Sequence, residues 1–282
     1  INTGYFENLP YAANANASVV NRMKSGSRIS WAAMILPHIG EQSMWDILTD
    51  PNASQAQSQV VPIAVYICPT DNNILDSPDN AGLSYSANAG GWDWDQSKRF
   101  LALSNTQGDT VDNGLFMNLT DGRASAKSSN IRDSASTTIL LAENVQKNKL
   151  YNWVGVTGQQ MGEQHYGIVW VVNTALTRRG GDLQDMTDQV QFSADTEPPT
   201  DYEESQPWYA RPASNHPGGS FNVMFADSHG DSISPNIDYK VYQQLMTPNG
   251  RDCVNPMDHN VTSGDIIDQF RRGAPVSEKD FE

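Results

Sequence analysis

The most informative segment for the architecture of this chain spans residues 220–234 and reads SFNVMFADSHGDSIS. Two short runs that contain apolar residues flank the polar sequence Asp227-Ser228-His229-Gly230. Runs of this kind, bounded by Asp, Ser and Gly, are typical of strands joined by a tight turn. We therefore predict a β-hairpin with strands over 220–226 and 231–234.

The rest of the chain shows several strands and few helices. The strongest strand patterns cover 137–143 and 167–173, and the continuous apolar character of 167–173 indicates a central position in a sheet. The spacing of apolar residues predicts a helix over 30–48 that is broken near Pro37, and a second helix over 237–246. Further strands are predicted over 60–68, 84–88 and 114–117, a helical turn over 15–24 and a short helix over 128–136. These elements predict an α+β fold with an antiparallel β-sheet, few helices and long loop insertions.

The domain organisation is predicted from composition. We expect one globular domain over residues 1–282, which opens with an extended lead-in loop over 1–28. Segments rich in Asn, Asp, Gly and Ser or in Pro predict loop insertions at about 72–113 and 177–211. Residues 251–282 are predicted to form a polar carboxy-terminal tail.

Charge excludes one large class of partners. The chain has 282 residues, with 18 Lys and Arg against 33 Asp and Glu, and a formal net charge of −15. Nucleic-acid binding is excluded, because neutralising phosphates requires a basic face. Anionic membrane surfaces are disfavoured for the same reason, and the apolar runs are too short to cross a bilayer. Acidic, polar composition favours a location outside the cytoplasm.

The densest group of polar side chains runs from His216 to Asp231. Pro217 fixes the backbone after His216, and Gly218 and Gly219 can adopt positive φ there. One interpretation is structural: His216 and Asp227 bond to the backbone at the two ends of the hairpin and fix its register.

Two functional interpretations of the same group stay open. Asp227 and Asp231, with loop carbonyls, could hold Ca²⁺, because hard cations prefer oxygen ligands. Alternatively, His216 or His229 with a neighbouring Asp could act as a general base. Signatures of nucleophilic hydrolases and glycine-rich phosphate loops are missing from the chain, so we expect no catalytic residues.

Two further pairs of residues have alternative readings. Cys68 and Cys253 allow a single disulfide that closes a long loop, or else they are two unrelated thiols. Trp92 and Trp94 would face one way on an extended segment and form a platform for a sugar or a partner. Alternatively, both rings are buried and anchor a loop.

Six short motifs follow one another between Trp31 and Asp227. They are Trp31–Gln42 (W-x₄-L-P-x-I-x-E-Q), Tyr66–Asp71, Ser84–Gly90, Asn113–Phe116, Ile131–Glu143 and His216–Asp227. Their order resembles a large planctomycete family of pilin-like surface proteins, whose members carry a prepilin-type amino terminus and a carboxy-terminal signature of His, nine residues and Asp-Gly. This chain departs from that signature, since ten residues separate His216 from Asp227 and Ser228 follows Asp227.

The resemblance implies a type IV pilin- or pseudopilin-like head domain whose amino-terminal apolar helix is missing from these residues. It also implies export, and like subunits and assembly machinery as partners. We therefore expect a non-enzymatic structural subunit of a filament or pseudopilus, extracellular, at the cell surface or periplasmic. Membrane contact would come only through the missing helix. The alternatives are a secreted carbohydrate-binding module that uses Trp92 and Trp94, and a calcium-dependent hydrolase.

Overall fold

A computed structural model defines the architecture of much of the chain. It describes residues 4–8, 28–49, 62–71, 82–91, 110–118, 126–145, 153, 155–156, 167–170, 210, 212–235, 237, 239–253 and 276. These residues form nine strands and three α-helices, which confirms the predicted α+β class. The predicted helical turn over 15–24, most of the loop at 177–211 and most of the tail at 251–282 lie outside the described residues.

The strands and helices are numbered along the chain. The strands are β1 (Gly4–Asn8), β2 (Arg28–Ser30), β3 (Tyr85–Gly91), β4 (Met117–Asn118), β5 (Ile139–Glu143), β6 (Gly155–Val156), β7 (Gly167–Trp170), β8 (Phe221–Phe225) and β9 (Gly230–Ile233). The helices are α1 (Trp31–Met34), α2 (Gln42–Thr49) and α3 (Tyr239–Met246).

The main sheet has five strands in the order β7-β3-β5-β8-β9. The β3–β5, β5–β8 and β8–β9 pairs are antiparallel, and β8 and β9 form the predicted hairpin. The sheet is mixed rather than wholly antiparallel, because β7 runs parallel to β3. Side chains of β8 alternate, with Phe221, Val223 and Phe225 buried, so one face of this strand covers the core.

A second sheet, in the order β4-β1-β2-β6, was not predicted. Strand β1 lies in the segment that the sequence analysis assigned to a lead-in loop, and it pairs antiparallel with β2 and parallel with β4. The prediction of a loop over 1–28 is therefore wrong for residues 4–8 and 28. A strand this short obtains its hydrogen bonds from remote partners, and local composition does not encode them.

The interrupted helix is confirmed. Ser30 caps α1 by accepting a hydrogen bond from the Ala33 backbone N at 3.2 Å. A short 3₁₀ turn over Leu36–His38 follows, with Pro37 near its start, and Gly40 then adopts φ 89° before α2. Proline removes the backbone donor that a continuous helix would need, so the chain restarts as α2.

The strand predicted over 60–68 is wrong where the structure describes it. Ala64–Tyr66 forms a 3₁₀ turn instead. Tyr66 is buried, its ring packs edge-on against Trp31, and its hydroxyl donates to the Ala32 carbonyl at 2.6 Å. Val65, by contrast, is 60% exposed. The apolar run therefore packs one anchoring ring against α1 without pairing as a strand.

One buried amide ties several elements together. Asn88 of β3 donates through Nδ2 to the carbonyls of Ile139 in β5 and Met246 in α3, at 2.8 and 2.7 Å. Tyr242 of α3 also donates to the Val169 carbonyl of β7 at 3.0 Å. These bonds fix α3 against the main sheet. No helix among the described residues has both the length and the apolar character needed to cross a membrane.

Candidate functional site

Three side chains from distant parts of the sequence converge at one end of the main sheet. Cys68, Glu143 and His216 each place one potential ligand atom within 4.8 Å of the other two. His216 Nε2 lies 3.0 Å from Glu143 Oε1 and 3.8 Å from Cys68 Sγ. We call these three residues the Cys-Glu-His cluster. Among the residues that the structure describes, no other group of three His, Cys, Asp or Glu side chains meets in this way.

Glu143 is held by the strands on both sides of β5. It is the last residue of β5, pairs with Tyr85 of β3 and is 1% exposed. From β8, the Asn222 backbone N donates to Glu143 Oε2 at 2.8 Å, and Asn222 Nδ2 donates to Oε1 at 3.2 Å. The carboxylate is therefore fixed in orientation by hydrogen bonds to both of its oxygens.

His216 is positioned by the turn that leads into β8. The Ala213 backbone N donates to the Glu143 carbonyl at 2.9 Å, which brings this turn to the end of β5. The Gly219 N donates to the His216 carbonyl at 3.0 Å. Gly218 and Gly219 have φ of 84° and 76°, which confirms the expected positive φ at both positions.

Cys68 reaches the cluster through the segment that precedes β3. Its backbone N donates to Ser84 Oγ at 2.9 Å, and its Sγ lies 3.1 Å from Thr70 Oγ1. Asn215 Nδ2 donates to the Thr70 carbonyl at 2.9 Å, so the segments that carry Cys68 and His216 are joined directly. Burial raises the pKa of the Cys68 thiol above its ordinary value, and the neighbouring Glu143 adds to that effect.

The surroundings of the cluster disfavour further negative charge. Burial raises the pKa of Tyr85 to about 12, with contributions from the nearby Cys68, Glu143 and Asp71. Glu143 is nevertheless almost fully buried, and one of its carboxylate oxygens lies 3.0 Å from the ring nitrogen Nε2 of His216. No Lys or Arg among the described residues pairs with it. A buried carboxylate normally has a cationic partner or binds a metal, because desolvation of an isolated charge is costly.

The geometry distinguishes two kinds of chemistry. In a Cys-His-carboxylate relay, one imidazole nitrogen faces the sulfur and the other faces the carboxylate. Here a single nitrogen, Nε2, faces both Cys68 and Glu143. Nδ1 forms no hydrogen bond to a described residue. Three potential ligand atoms within 4.8 Å of one another are the arrangement of a metal chelate rather than of a proton relay.

The predicted calcium residues lie elsewhere, in the hairpin. Asp227 Oδ1 accepts from the His229 backbone N at 3.1 Å and lies 2.5 Å from His229 Nδ1. Asp231 Oδ1 accepts from the Ser232 N at 2.7 Å. Asp227 thus makes the turn contact expected under the structural interpretation, whereas His216 contacts Glu143 instead of the backbone across the hairpin. Calcium binding by Asp227 and Asp231 stays a prediction.

The other two predicted pairs have different outcomes. Cys68 and Cys253 are both buried free thiols, so the disulfide between them is not formed in the structure. Cys68 instead contacts Thr70 and His216. Trp92 and Trp94 lie outside the described residues, and their role as a ligand platform stays a prediction.

Sequence reasoning missed Glu143 as a site residue. It noted the residue only as the end of a strand and of a motif, and it treated Cys68 as a disulfide candidate. A usable signal was present: a glutamate that ends a strongly predicted apolar strand needs a polar partner if it is buried. The identity of that partner, His216, 73 residues later, depends on the β5–β8 pairing.

Comparisons with known proteins identify a family. The family model described as "Protein of unknown function (DUF1559)" matches residues 4–240. No curated protein and no solved structure matches the chain. The matched residues include the three members of the Cys-Glu-His cluster, both sheets and all six motifs noted in the sequence.

Proposed function

We propose, from the premise that the chain belongs to the family described as "Protein of unknown function (DUF1559)", that it is a non-enzymatic structural subunit of a cell-surface filament or pseudopilus. The observation that carries this proposal is the ordered series of six motifs, which resembles pilin-like surface proteins and lies entirely within the matched residues 4–240. The resemblance implies assembly through an amino-terminal apolar helix.

A structural role is supported by the arrangement of the most reactive side chains. Cys68 and His216 would be the natural nucleophile and base of a hydrolase, but His216 directs the same nitrogen to Cys68 and to Glu143. In a Cys-His-carboxylate triad, the carboxylate holds the second nitrogen of the base. The cluster therefore lacks the orientation of a catalytic triad, which favours a subunit without turnover.

The expected partners and location follow from the resemblance and the charge. Like subunits would be the main partners, with export and assembly machinery acting before polymerisation. The site of action would be extracellular, at the cell surface or periplasmic. The net charge of −15 is consistent with a water-facing head domain, because mutual repulsion keeps such surfaces soluble at high local concentration.

The test is localisation of the complete encoded protein in the organism that produces it. A carboxy-terminal epitope tag is expected in material sheared from the cell surface and along filaments in immuno-electron microscopy. A freely soluble monomer in the cytoplasm would overturn the proposal.

Gly114→Ala, which disrupts the packing of β3, is expected to remove the tag from filaments, whereas the matched Gly230→Ala protein is expected to remain in them.

A further inference from the structure

We propose that Cys68, Glu143 and His216 bind one Zn²⁺ ion, which fastens three remote segments of the chain at the end of β5. The proposal is independent of the filament hypothesis, since a metal could occupy this cluster in a protein of any function. It rests on the convergence of the three side chains, on their donor chemistry and on the burial of the carboxylate.

The donor set selects the class of metal. A thiolate is a soft ligand, an imidazole is intermediate and a carboxylate is hard, and zinc sites combine these three types. Ca²⁺ and Mg²⁺ prefer oxygen ligands alone. The cluster therefore fits Zn²⁺ and not the Ca²⁺ that the sequence suggested for Asp227 and Asp231.

The separation between sulfur and nitrogen agrees with two ligands around one ion. Ideal tetrahedral zinc, with bonds of about 2.3 Å to sulfur and about 2.05 Å to nitrogen, places those two atoms roughly 3.6 Å apart. Cys68 Sγ and His216 Nε2 are 3.8 Å apart. Glu143 Oε1 lies 3.0 Å from His216 Nε2, and all three atoms lie within 4.8 Å of one another. Binding one ion therefore requires side-chain rotations that replace the His216–Glu143 hydrogen bond with two bonds to the metal.

The contacts around the ligands are those that orient a metal site. Asn222 binds both oxygens of Glu143, and Thr70 Oγ1 lies beside the Cys68 sulfur. Asn222 Nδ2 also lies 3.2 Å from His216 Nε2, so it must give up that contact when Nε2 binds the metal. Hydrogen bonds of this kind hold ligands in place before the metal arrives. The Glu143 carboxylate is nearly unexposed and has no Lys or Arg partner among the described residues. The hydrogen bonds from Asn222 account for its fixed position next to His216.

The exposed side of the cluster provides access and a fourth ligand position. The His216 side chain is 26% exposed, whereas that of Glu143 is 2% exposed. Three protein ligands leave one tetrahedral position for water. On binding, the thiol proton of Cys68 passes to solvent, and the imidazole proton resides on Nδ1, which forms no hydrogen bond to a described residue.

Titration of the purified, metal-free chain with Zn²⁺ in competition with a chromophoric chelator tests the site. Wild type is expected to bind one equivalent, and Cys68→Ser and His216→Gln are expected to bind at least about 100-fold more weakly. The matched controls are Cys253→Ser, which alters the other buried free thiol, and His229→Gln, which alters the other His-carboxylate pair. Both controls are expected to retain wild-type affinity.

A spectroscopic measurement on the wild type keeps the proposal testable if the cluster variants fail to fold. Co²⁺ in place of Zn²⁺ is expected to give a near-ultraviolet thiolate-to-metal charge-transfer band, which Cys253→Ser retains. Absence of Zn²⁺ binding by folded wild type would overturn the proposal. So would Zn²⁺ binding without the cobalt–thiolate band, or binding that is lost in Cys253→Ser and kept in Cys68→Ser.

Discussion

Gly114 lies against the backbone of β3 with no room for a side chain. A Cβ atom at Gly114 would lie 2.5 Å from the Gly90 N and closer still to its Cα. Because both neighbours are backbone atoms, Gly114→Ala is expected to lower the free energy of unfolding by roughly 2–3 kcal/mol, as overpacked sites do. Chemical denaturation measures this change. Gly230→Ala is the control, since its nearest contact is 3.6 Å away, and equal losses in both variants would contradict the explanation.

Ser228 adopts a backbone conformation that normally belongs to glycine. Its φ is 76°, and it lies in the loop between β8 and β9. The residue that closes such a hairpin loop in the left-handed region is usually Gly, because a Cβ there costs about 1 kcal/mol or more. Ser228→Gly is therefore expected to raise the free energy of unfolding by roughly 0.5–1 kcal/mol.

Ser232→Gly provides the matched control for that substitution. Ser232 lies within β9 and does not have a positive φ, so glycine there mainly increases the freedom of the unfolded chain. We expect this variant to lose about 0.5–1 kcal/mol of stability in the same thermal or chemical denaturation experiment. Two variants that change stability in the same direction would refute the assignment of strain to Ser228.

The proximity of the residues in the Cys-Glu-His cluster could not be predicted from each residue taken alone. The sequence analysis identified both His216 and Cys68 as candidate residues. It suggested a disulfide for Cys68, and a turn contact or a role as general base for His216. Cys68 and His216 are 148 positions apart, and they meet because β5 pairs with both β3 and β8. The chemistry of each side chain follows from its residue type, whereas the distance between two side chains depends on which strands pair.

The β8–β9 hairpin contains a hydrogen-bonded pair, Asp227 and His229, that should make its stability depend on pH. Hydrogen bonds from His229 lower the pKa of Asp227 below its ordinary value. A carboxylate with a lowered pKa stabilises the folded state above its unfolded pKa of about 3.9, and this contribution is lost as pH falls through the lower folded value.

Asp227→Asn tests that contribution. The stability difference between wild type and variant is expected to be largest near neutral pH and to vanish in strong acid. Unfolding is measured across the acid range, and Asp231→Asn, whose carboxylate accepts from the neighbouring Ser232 N and has no histidine contact, serves as the control. A difference that grows as the pH falls would contradict the direction of the pKa shift.

Helix α3 depends on Asn88 for its attachment to the sheet. Asn88→Ala leaves the carbonyls of Ile139 and Met246 without their donor, and each unsatisfied buried group costs about 1–3 kcal/mol. We therefore expect a loss of roughly 2–4 kcal/mol, with faster amide hydrogen exchange in α3. Asn130→Ala, at a more exposed 3₁₀ turn, is the control and should lose less than about 1 kcal/mol. Unchanged exchange in α3 would refute the bridging role.

Elements with strong local signals were predicted well, and those that rely on remote contacts were not. Pro37 marks the break between α1 and α2, and the apolar run ending at Glu143 forms β5. By contrast, the 62–68 segment contains a 3₁₀ turn, in which Tyr66 packs against Trp31. Strand β1 forms because β2 and β4 supply its hydrogen-bond partners. Long-range packing overrides strand propensity in the first case and supplies a strand in the second.

The acidic balance of the chain sets how its stability responds to salt. With a net charge of −15, the compact state has more internal repulsion than the expanded state. Raising NaCl from about 10 mM to about 150 mM shortens the screening length from roughly 30 Å to roughly 8 Å. We therefore expect the melting temperature to rise over this range, with KCl giving the same result. A fall in melting temperature would show that attractive ion pairs outweigh the repulsion.

The separation of 148 positions between Cys68 and His216 also has a consequence during biosynthesis. At roughly 5–20 residues per second, a ribosome needs about 7 to 30 s to add His216 after Cys68. Throughout that interval the sulfur lacks the histidine that later covers one side of it. A product truncated before residue 216 would lack His216, so its Cys68 thiol would be more accessible to oxidants and to other thiols. The last part of the chain to be synthesised therefore protects a cysteine near its beginning.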